Sequence, residues 1–279
     1  MVNTTVGATE VIKVSGKQRN QQPDLLAVEE PLEIRLNYGP LESRQEKAIA
    51  VTMRTPGHDH ELALGFLSTE GIVKSKGEIV SISHCESVKE EERGNVVKVA
   101  LHPEVEFDIK QLARHFYTNS SCGVCGKASI ESVETGCRVI INQDVFTEKM
   151  MHEAPDKLRA AQKVFEYTGG LHAAGFFNLM GELEMMREDV GRHNALDKLI
   201  GAGIEMEKDL SHGFVLVSGR ASFELIQKAA MASIPVLAAV GAPSSLAVDL
   251  AKKMNMTLLG FVRNNSFNIY CGVQRVQSS

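Results

Sequence analysis

Between residues 214 and 262 the chain alternates short apolar runs with segments of helical period, and this pattern restricts the fold more than any other. Phe214-Val215-Leu216-Val217 precedes a helical stretch at 223–232, a second apolar run at 236–240 precedes another at 245–254, and a third run follows at 257–262. Strands joined through a helix lie parallel, because the crossover returns the chain to the same edge. Runs this continuously apolar suit strands covered on both faces. The spacing therefore predicts an α/β layer with mostly parallel strands. Ligands of such layers sit beyond the carboxyl ends of the strands. Here those ends read Ser218-Gly219-Arg220-Ala221-Ser222, Gly241-Ala242-Pro243-Ser244-Ser245 and Arg263-Asn264-Asn265-Ser266. Small residues, hydroxyls and arginines at three neighbouring ends suit phosphate, ribose or base recognition, although turn and capping chemistry uses the same residue types.

The first half is built differently. Residues 1–22 are polar and aperiodic and read as a loose arm, with order beginning near Leu25. Leu32-Glu33-Ile34-Arg35-Leu36 and Ala48-Ile49-Ala50-Val51-Thr52-Met53 read as a hairpin across the Gly39-Pro40 turn signal. A helix follows over 58–67, with Leu62, Phe66 and Leu67 at helical spacing, and then strands near 79–88 and 96–101. A further helix spans 109–117, and another 156–167 leads into the second half. The expected organisation is a flexible arm (1–24), an α+β lobe (25–117), a mobile loop (118–129) and a C-terminal α/β domain that binds a cofactor (130–279).

A chain of 279 residues with 43% hydrophobic content can bury such a pair of lobes. Its net charge of −5 argues against nucleic-acid polymers and anionic membranes as partners, since both select basic surfaces. The first 16 residues lack the basic start and apolar run of a secretory signal, and no stretch approaches the ~20 apolar residues of a membrane span. Cytoplasmic location is the expectation. Five cysteines, an odd number, fit a reducing compartment better than a disulfide scaffold. Cys85, Cys137 and Cys271 lie in or beside β-type runs and read as small buried hydrophobes.

The remaining two cysteines sit in Ser120-Ser121-Cys122-Gly123-Val124-Cys125-Gly126-Lys127, with little apolar neighbourhood to bury them. A C-x-x-C pair can close a disulfide, ligate half of a zinc site, or place a second thiol beside a reactive one. Gly123 and Gly126 remove bulk, and Lys127 adds a cation with no carboxylate nearby to oppose a thiolate. A nucleophilic sulfur follows from that setting.

Arg187-Glu188-Asp189-Val190-Gly191-Arg192-His193-Asn194 is dense in charge. Asp189 reads as a helix cap, which puts Arg192, His193 and Asn194 in the first turn, where donors reach an anionic ligand. Neither a P-loop nor a dinucleotide fingerprint is present. His172 raises the zinc nucleobase deaminases, but the H-x-E glutamate is missing and the C-x-x-C precedes the histidine. Zinc held by His172, Cys122 and Cys125, or by His58-x-His60, is a weaker reading, and no metal site is assigned.

Ser121 to Lys127, Thr168-Gly169-Gly170-Leu171-His172, Arg187 to Lys198, Ser218-Gly219-Arg220, Ala242-Pro243-Ser244-Ser245-Leu246-Ala247 and Phe261-Val262-Arg263, in that order, resemble the FdhD/NarQ family from about Pro31 onward. The resemblance implies a three-layer α/β/α cytidine-deaminase-like core with a mixed sheet, a smaller N-terminal α+β lobe, and a homodimer. It implies a sulfurtransferase that receives sulfur from a cysteine desulfurase as a persulfide on Cys122, with Cys125 as the second sulfur. The acceptor implied is the molybdenum cofactor in its bis(molybdopterin guanine dinucleotide) form, destined for formate dehydrogenase, and GDP would mimic part of it. Phe261, Val262, Arg263, Asn264, Asn265 and Ser266 correspond to the family's cofactor segment, with Arg220 and His193 as further binding residues. Two other functions fit the residues: a molybdenum-cofactor chaperone that moves no sulfur, and a thiol-disulfide oxidoreductase.

Overall fold

The computed structural model describes residues 4–105, 137 and 139–278. The expected helix at 109–117 and the loop carrying Cys122 and Cys125 lie outside the described residues.

The second half centres on a six-stranded sheet ordered β13-β12-β11-β10-β8-β9, where β8 is His172–Phe177, β9 Leu183–Asp189, β10 Phe214–Val217, β11 Val236–Ala239, β12 Thr257–Arg263 and β13 Ser266–Cys271. β10, β11 and β12 run parallel, as their helical crossovers require, whereas β8 pairs antiparallel with β10, β9 with β8 and β13 with β12. The sheet is therefore mixed. Expectation of mostly parallel strands holds for the central three, and the outer strands escaped it because each is joined to its neighbour by a short turn with no helix between.

Alternate side chains of each strand point to opposite faces, and two apolar clusters divide accordingly. Ala174, Phe176, Val215, Val217, Leu237 and Ala239 meet α4 (Arg192–Glu205), α5 (Phe223–Met231) and α6 (Ser245–Lys253). Phe214, Leu216, Val236, Ala238 and Leu259 meet α2 (Glu148–Ala161) on the other face. α2 begins earlier than expected and carries Pro155 inside it. The missing N–H and ring clash of an interior proline are outweighed by burial of Met151, Ala154 and Leu158 at helical spacing. The helix stops at Gln162, and a short α3, Lys163–Thr168, takes up the rest of the expected span, its first N–H groups donating to Glu188.

The first half holds a four-stranded sheet ordered β4-β3-β6-β5, from β3 (Glu30–Tyr38), β4 (Gln45–Arg54), β5 (Ile79–His84) and β6 (Val96–Leu101), with α1 (Asp59–Thr69) packed on it. Residues 6–27 are not the aperiodic arm that the sequence suggests. They form a hairpin, β1 (Val6–Ser15) with β2 (Gln18–Ala27), in unbroken register over ten pairs. Polar composition concealed it, because most of these side chains stay exposed and the ladder is a main-chain property.

α1 and α4 join the halves by direct backbone contact. A Cβ at Gly65 would lie 1.9 Å from the Asp197 carbonyl oxygen, and one at Gly201 would lie 1.9 Å from that of Glu61. Buried charges line the junction: Lys198 pairs with Asp189 at 2.7 Å and donates to the Thr55 carbonyl at 2.8 Å, and Lys228 pairs with Asp197 at 2.9 Å. The contact fixes the height at which the first turn of α4 meets the sheet edge.

Candidate functional site

β8 runs antiparallel to β10, and β9 antiparallel to β8, so the start of β8 and the end of β9 share an edge with the carboxyl ends of β10, β11 and β12. His172, Gly191, Gly219, Gly241 and Phe261 all fall on it. The loops are tied together through main-chain bonds: Gly241 N donates to Gly219 O at 3.0 Å, Phe261 N to Gly241 O at 3.1 Å, and Ser244 N to Ala221 O at 3.0 Å. Glycine is needed where they cross, since a Cβ at Gly241 would meet Gly219 O at 3.0 Å and Arg220 Cα at 3.1 Å. This makes a continuous ledge.

At one end of the ledge His193 is clamped. Its Nε2 lies 2.8 Å from Glu224 Oε2 and 3.1 Å from Ser222 Oγ. An ionised carboxylate only accepts, so the Nε2 proton donates to Glu224. Ser222 occupies the N-cap position of α5 without making a side-chain cap bond, its hydroxyl serving His193 instead. His172 stands beside Arg192 and His193, and burial, then these two neighbours, hold its pKa below the ordinary imidazole value against the opposing Asp189 carboxylate. Gly219 opens the space between them: a side chain there would meet His172 Nδ1 at 3.3 Å and Arg192 Cδ at 3.7 Å.

At the other end, β12 turns into β13 through Asn264 and Asn265, with Arg263 paired to Ser266. Phe261 is 40% exposed and takes a left-handed φ of 54° at an irregularity in the ladder. An aromatic residue held there costs about 1–3 kcal/mol and is maintained only by its surroundings. Arg220, Arg263, Asn265 and Ser266 are exposed. Asn264 is tied to Asp156 of α2 at 2.7 Å. Val262 is 1% exposed and belongs to the apolar core, so only its backbone reaches the ledge.

Asp189 does not cap α4. It ends β9 fully buried, accepts from Gly191 N at 2.8 Å, Asn194 Nδ2 at 3.1 Å and Thr55 N at 3.1 Å, and neutralises Lys198; Gly191 stands at the N-cap. A buried carboxylate requires such partners more than a helix end requires a cap. His58 and His60 also diverge: His58 pairs with Glu61 at 3.1 Å, while His60 stacks near His84. Among the described residues no group of His, Cys, Asp and Glu is arranged to hold a metal ion.

The FdhD/NarQ family model matches residues 27–277. The chain belongs to the FdhD/NarQ family. Among its FdhD/NarQ relatives, a protein named sulfur carrier protein FdhD from Streptomyces coelicolor is 50% identical over 273 residues, covering 96% of this chain and 94% of its own. Its namesake from Mycobacterium tuberculosis is 48% identical over 94% and 95% of the two chains, and that from Sulfurisphaera tokodaii 40% over 97% and 99%. A crystal structure from Desulfotalea psychrophila, assigned as a candidate formate dehydrogenase accessory protein, superposes with a TM-score of 0.77 at 23% identity and covers 98% of this chain and all of its own. That similarity establishes the mixed α/β fold.

The sequence points to His193 and Arg220 as binding residues and puts Ser222 at a polar strand end, but it gives no sign of Glu224. An acidic residue in the first turn of a helix reads by default as a dipole partner, and nothing in the local sequence points it toward His193. No described helix is long and apolar enough to cross a membrane.

Proposed function

We propose that this protein is a sulfur carrier for formate dehydrogenase maturation: a sulfurtransferase that receives sulfur from a cysteine desulfurase as a Cys122 persulfide and delivers it to molybdenum in the bis(molybdopterin guanine dinucleotide) cofactor. The observation that carries the reading is full-length similarity, at about half identity, to proteins named sulfur carrier protein FdhD, in a chain that itself holds Cys122-Gly123-Val124-Cys125. Loading is an exchange: the Cys122 thiolate attacks the terminal sulfur of the donor persulfide, the donor S–S bond breaks, and the donor leaves as its thiolate. Lys127 favours the thiolate form of the loop cysteines. Cys125 is the second thiol of the site.

The molybdenum cofactor is the acceptor substrate, and its guanine nucleotide arm is taken to lie along the strand-end ledge. Support comes from Gly219, which puts no side chain between His172 and Arg192, from Arg220 and Arg263, which are exposed beside it, and from the strained Phe261 that shapes its far end. Phe261, Val262, Arg263, Asn264, Asn265 and Ser266 form the proposed cofactor segment with Arg220 and His193, and GDP is the simplest mimic. The same reading has the protein acting in the cytoplasm as a homodimer, on a cytidine-deaminase-like layering of the core.

Complementation tests it. In a strain lacking its own sulfur carrier, the wild-type gene is expected to restore formate dehydrogenase activity and Cys122→Ala to restore none. Restoration by Cys122→Ala would favour the cofactor chaperone that transfers no sulfur.

A further inference from the structure

Arg192 is the first residue of α4 and is half-buried on the ledge. Its Nε–H is sealed from solvent and has no acceptor. Among the described residues it makes no ion pair or hydrogen bond of any kind, although the other buried or half-buried described arginines are engaged, among them Arg54 with Asp59, Arg187 with Glu61, and Arg275 with the Asn142 carbonyl. The carboxylates at this edge are engaged elsewhere. Asp189 is taken by Lys198, and Glu224 by His193, its other oxygen remaining buried without a donor. A guanidinium sealed at one nitrogen and unanswered is a cost to the fold, since a buried donor without an acceptor loses its hydration for nothing. His193 lies next along the helix, and burial together with Arg192 holds the neighbouring His172 pKa below the ordinary imidazole value.

We propose that Arg192 is the phosphate-reading residue of this ledge and that it takes the diphosphate of a nucleotide. A diphosphate supplies the missing anion and accepts in two parallel bonds from the terminal guanidinium nitrogens, which unlike Nε are not sealed from solvent. Gly219 keeps the approach open, because any side chain there would sit against Arg192 Cδ and His172 Nδ1. His193 follows Arg192 on the helix and is held by Glu224 and Ser222. Exposed Arg220 and Arg263 contribute at longer range. The diphosphate is assigned to a nucleotide on the strength of the function proposed above, whereas the anion site follows from the unpaired arginine itself.

The test is calorimetric titration of the full-length protein at low ionic strength with GDP, guanosine and inorganic pyrophosphate, for wild type, Arg192→Gln and Arg192→Lys. Wild type is expected to bind GDP and pyrophosphate. Arg192→Gln is expected to lose about 10–100-fold in affinity for both, as a charge-assisted bidentate contact would, with guanosine binding unchanged and Arg192→Lys in between. Because Arg192 bonds to nothing in the described fold, Arg192→Gln should unfold at the same temperature as wild type or higher. Pyrophosphate binding without GDP binding would uphold the anion site and refute the nucleotide reading. Failure of wild type to bind pyrophosphate, equal affinities in wild type and Arg192→Gln, or parallel losses for GDP and guanosine would each overturn the proposal.

Discussion

Replacing Gly201 by alanine tests how the two halves are held and, through α4, how the ledge is positioned. The new Cβ would stand 1.9 Å from the Glu61 carbonyl oxygen and 2.6 Å from its carbon. Cβ contacts essentially never fall below 3.0 Å, so α1 and α4 must part by about 1.1 Å, and both obstructing atoms are backbone. The bonds spanning the junction are short: Asn194 Nδ2 to Met53 O, Lys198 Nζ to Thr55 O and Thr69 Oγ1 to Asp197 Oδ1 are each 2.8 Å. Stretched by that amount they reach about 3.9 Å, which is outside hydrogen-bond range. Overpacking costs about 1–3 kcal/mol and each buried bond left unmade about 1–3 kcal/mol more, so a loss of at least about 4 kcal/mol is expected. At roughly 2–4 °C per kcal/mol for a chain of this size class, Tm falls by about 8–16 °C. Differential scanning calorimetry measures it, with Gly170→Ala as the control: its Cβ would meet nothing nearer than Ala27 Cβ at 3.6 Å, and Tm should not move. A change below about 2 °C for Gly201→Ala would refute the close helix crossing.

Lys198→Met leaves Asp189 with its hydrogen bonds but no cation at a fully buried position, and urea denaturation should report a loss of about 3–5 kcal/mol, partly recovered by adding Asp189→Asn. Burial pushes the Glu61 carboxyl up, but Arg187 and His58 overcome it and bring its pKa down to about 2. Stability from this group is thus complete above its ordinary pKa near 4.5 and disappears as pH falls from there to about 2. Worth about 3 kcal/mol at most, it should appear as a wild-type advantage over Glu61→Gln that shrinks across that window in pH-dependent melts. If Arg192 stands over His172, Arg192→Gln should move the His172 titration, followed by NMR, back toward 6.5.

The strand-helix repeat was legible because each central strand is apolar on both faces and each helix begins after a small-residue turn. β10, β11 and β12 accordingly lie within a residue or two of their expected places. β1 and β2 were not legible, since a ladder whose side chains, polar and apolar alike, stay mostly exposed shows no inside-outside alternation. Of the site, the polar strand ends and His193 could be read directly. Pairings across the fold could not: Asp189 finds Lys198 within its own motif, but its bond from Thr55 spans 134 positions. Val262 looks like a ledge residue in the sequence and turns inward because strand alternation places it opposite Phe261.

A sulfur carrier of this kind must receive its sulfur on Cys122. The full-length protein incubated with a cysteine desulfurase and cysteine, then digested without reductant and mapped by mass spectrometry, should carry one added sulfur atom on the peptide containing Cys122 and lose it in Cys122→Ala. Sulfur loading that survives Cys122→Ala would contradict the account.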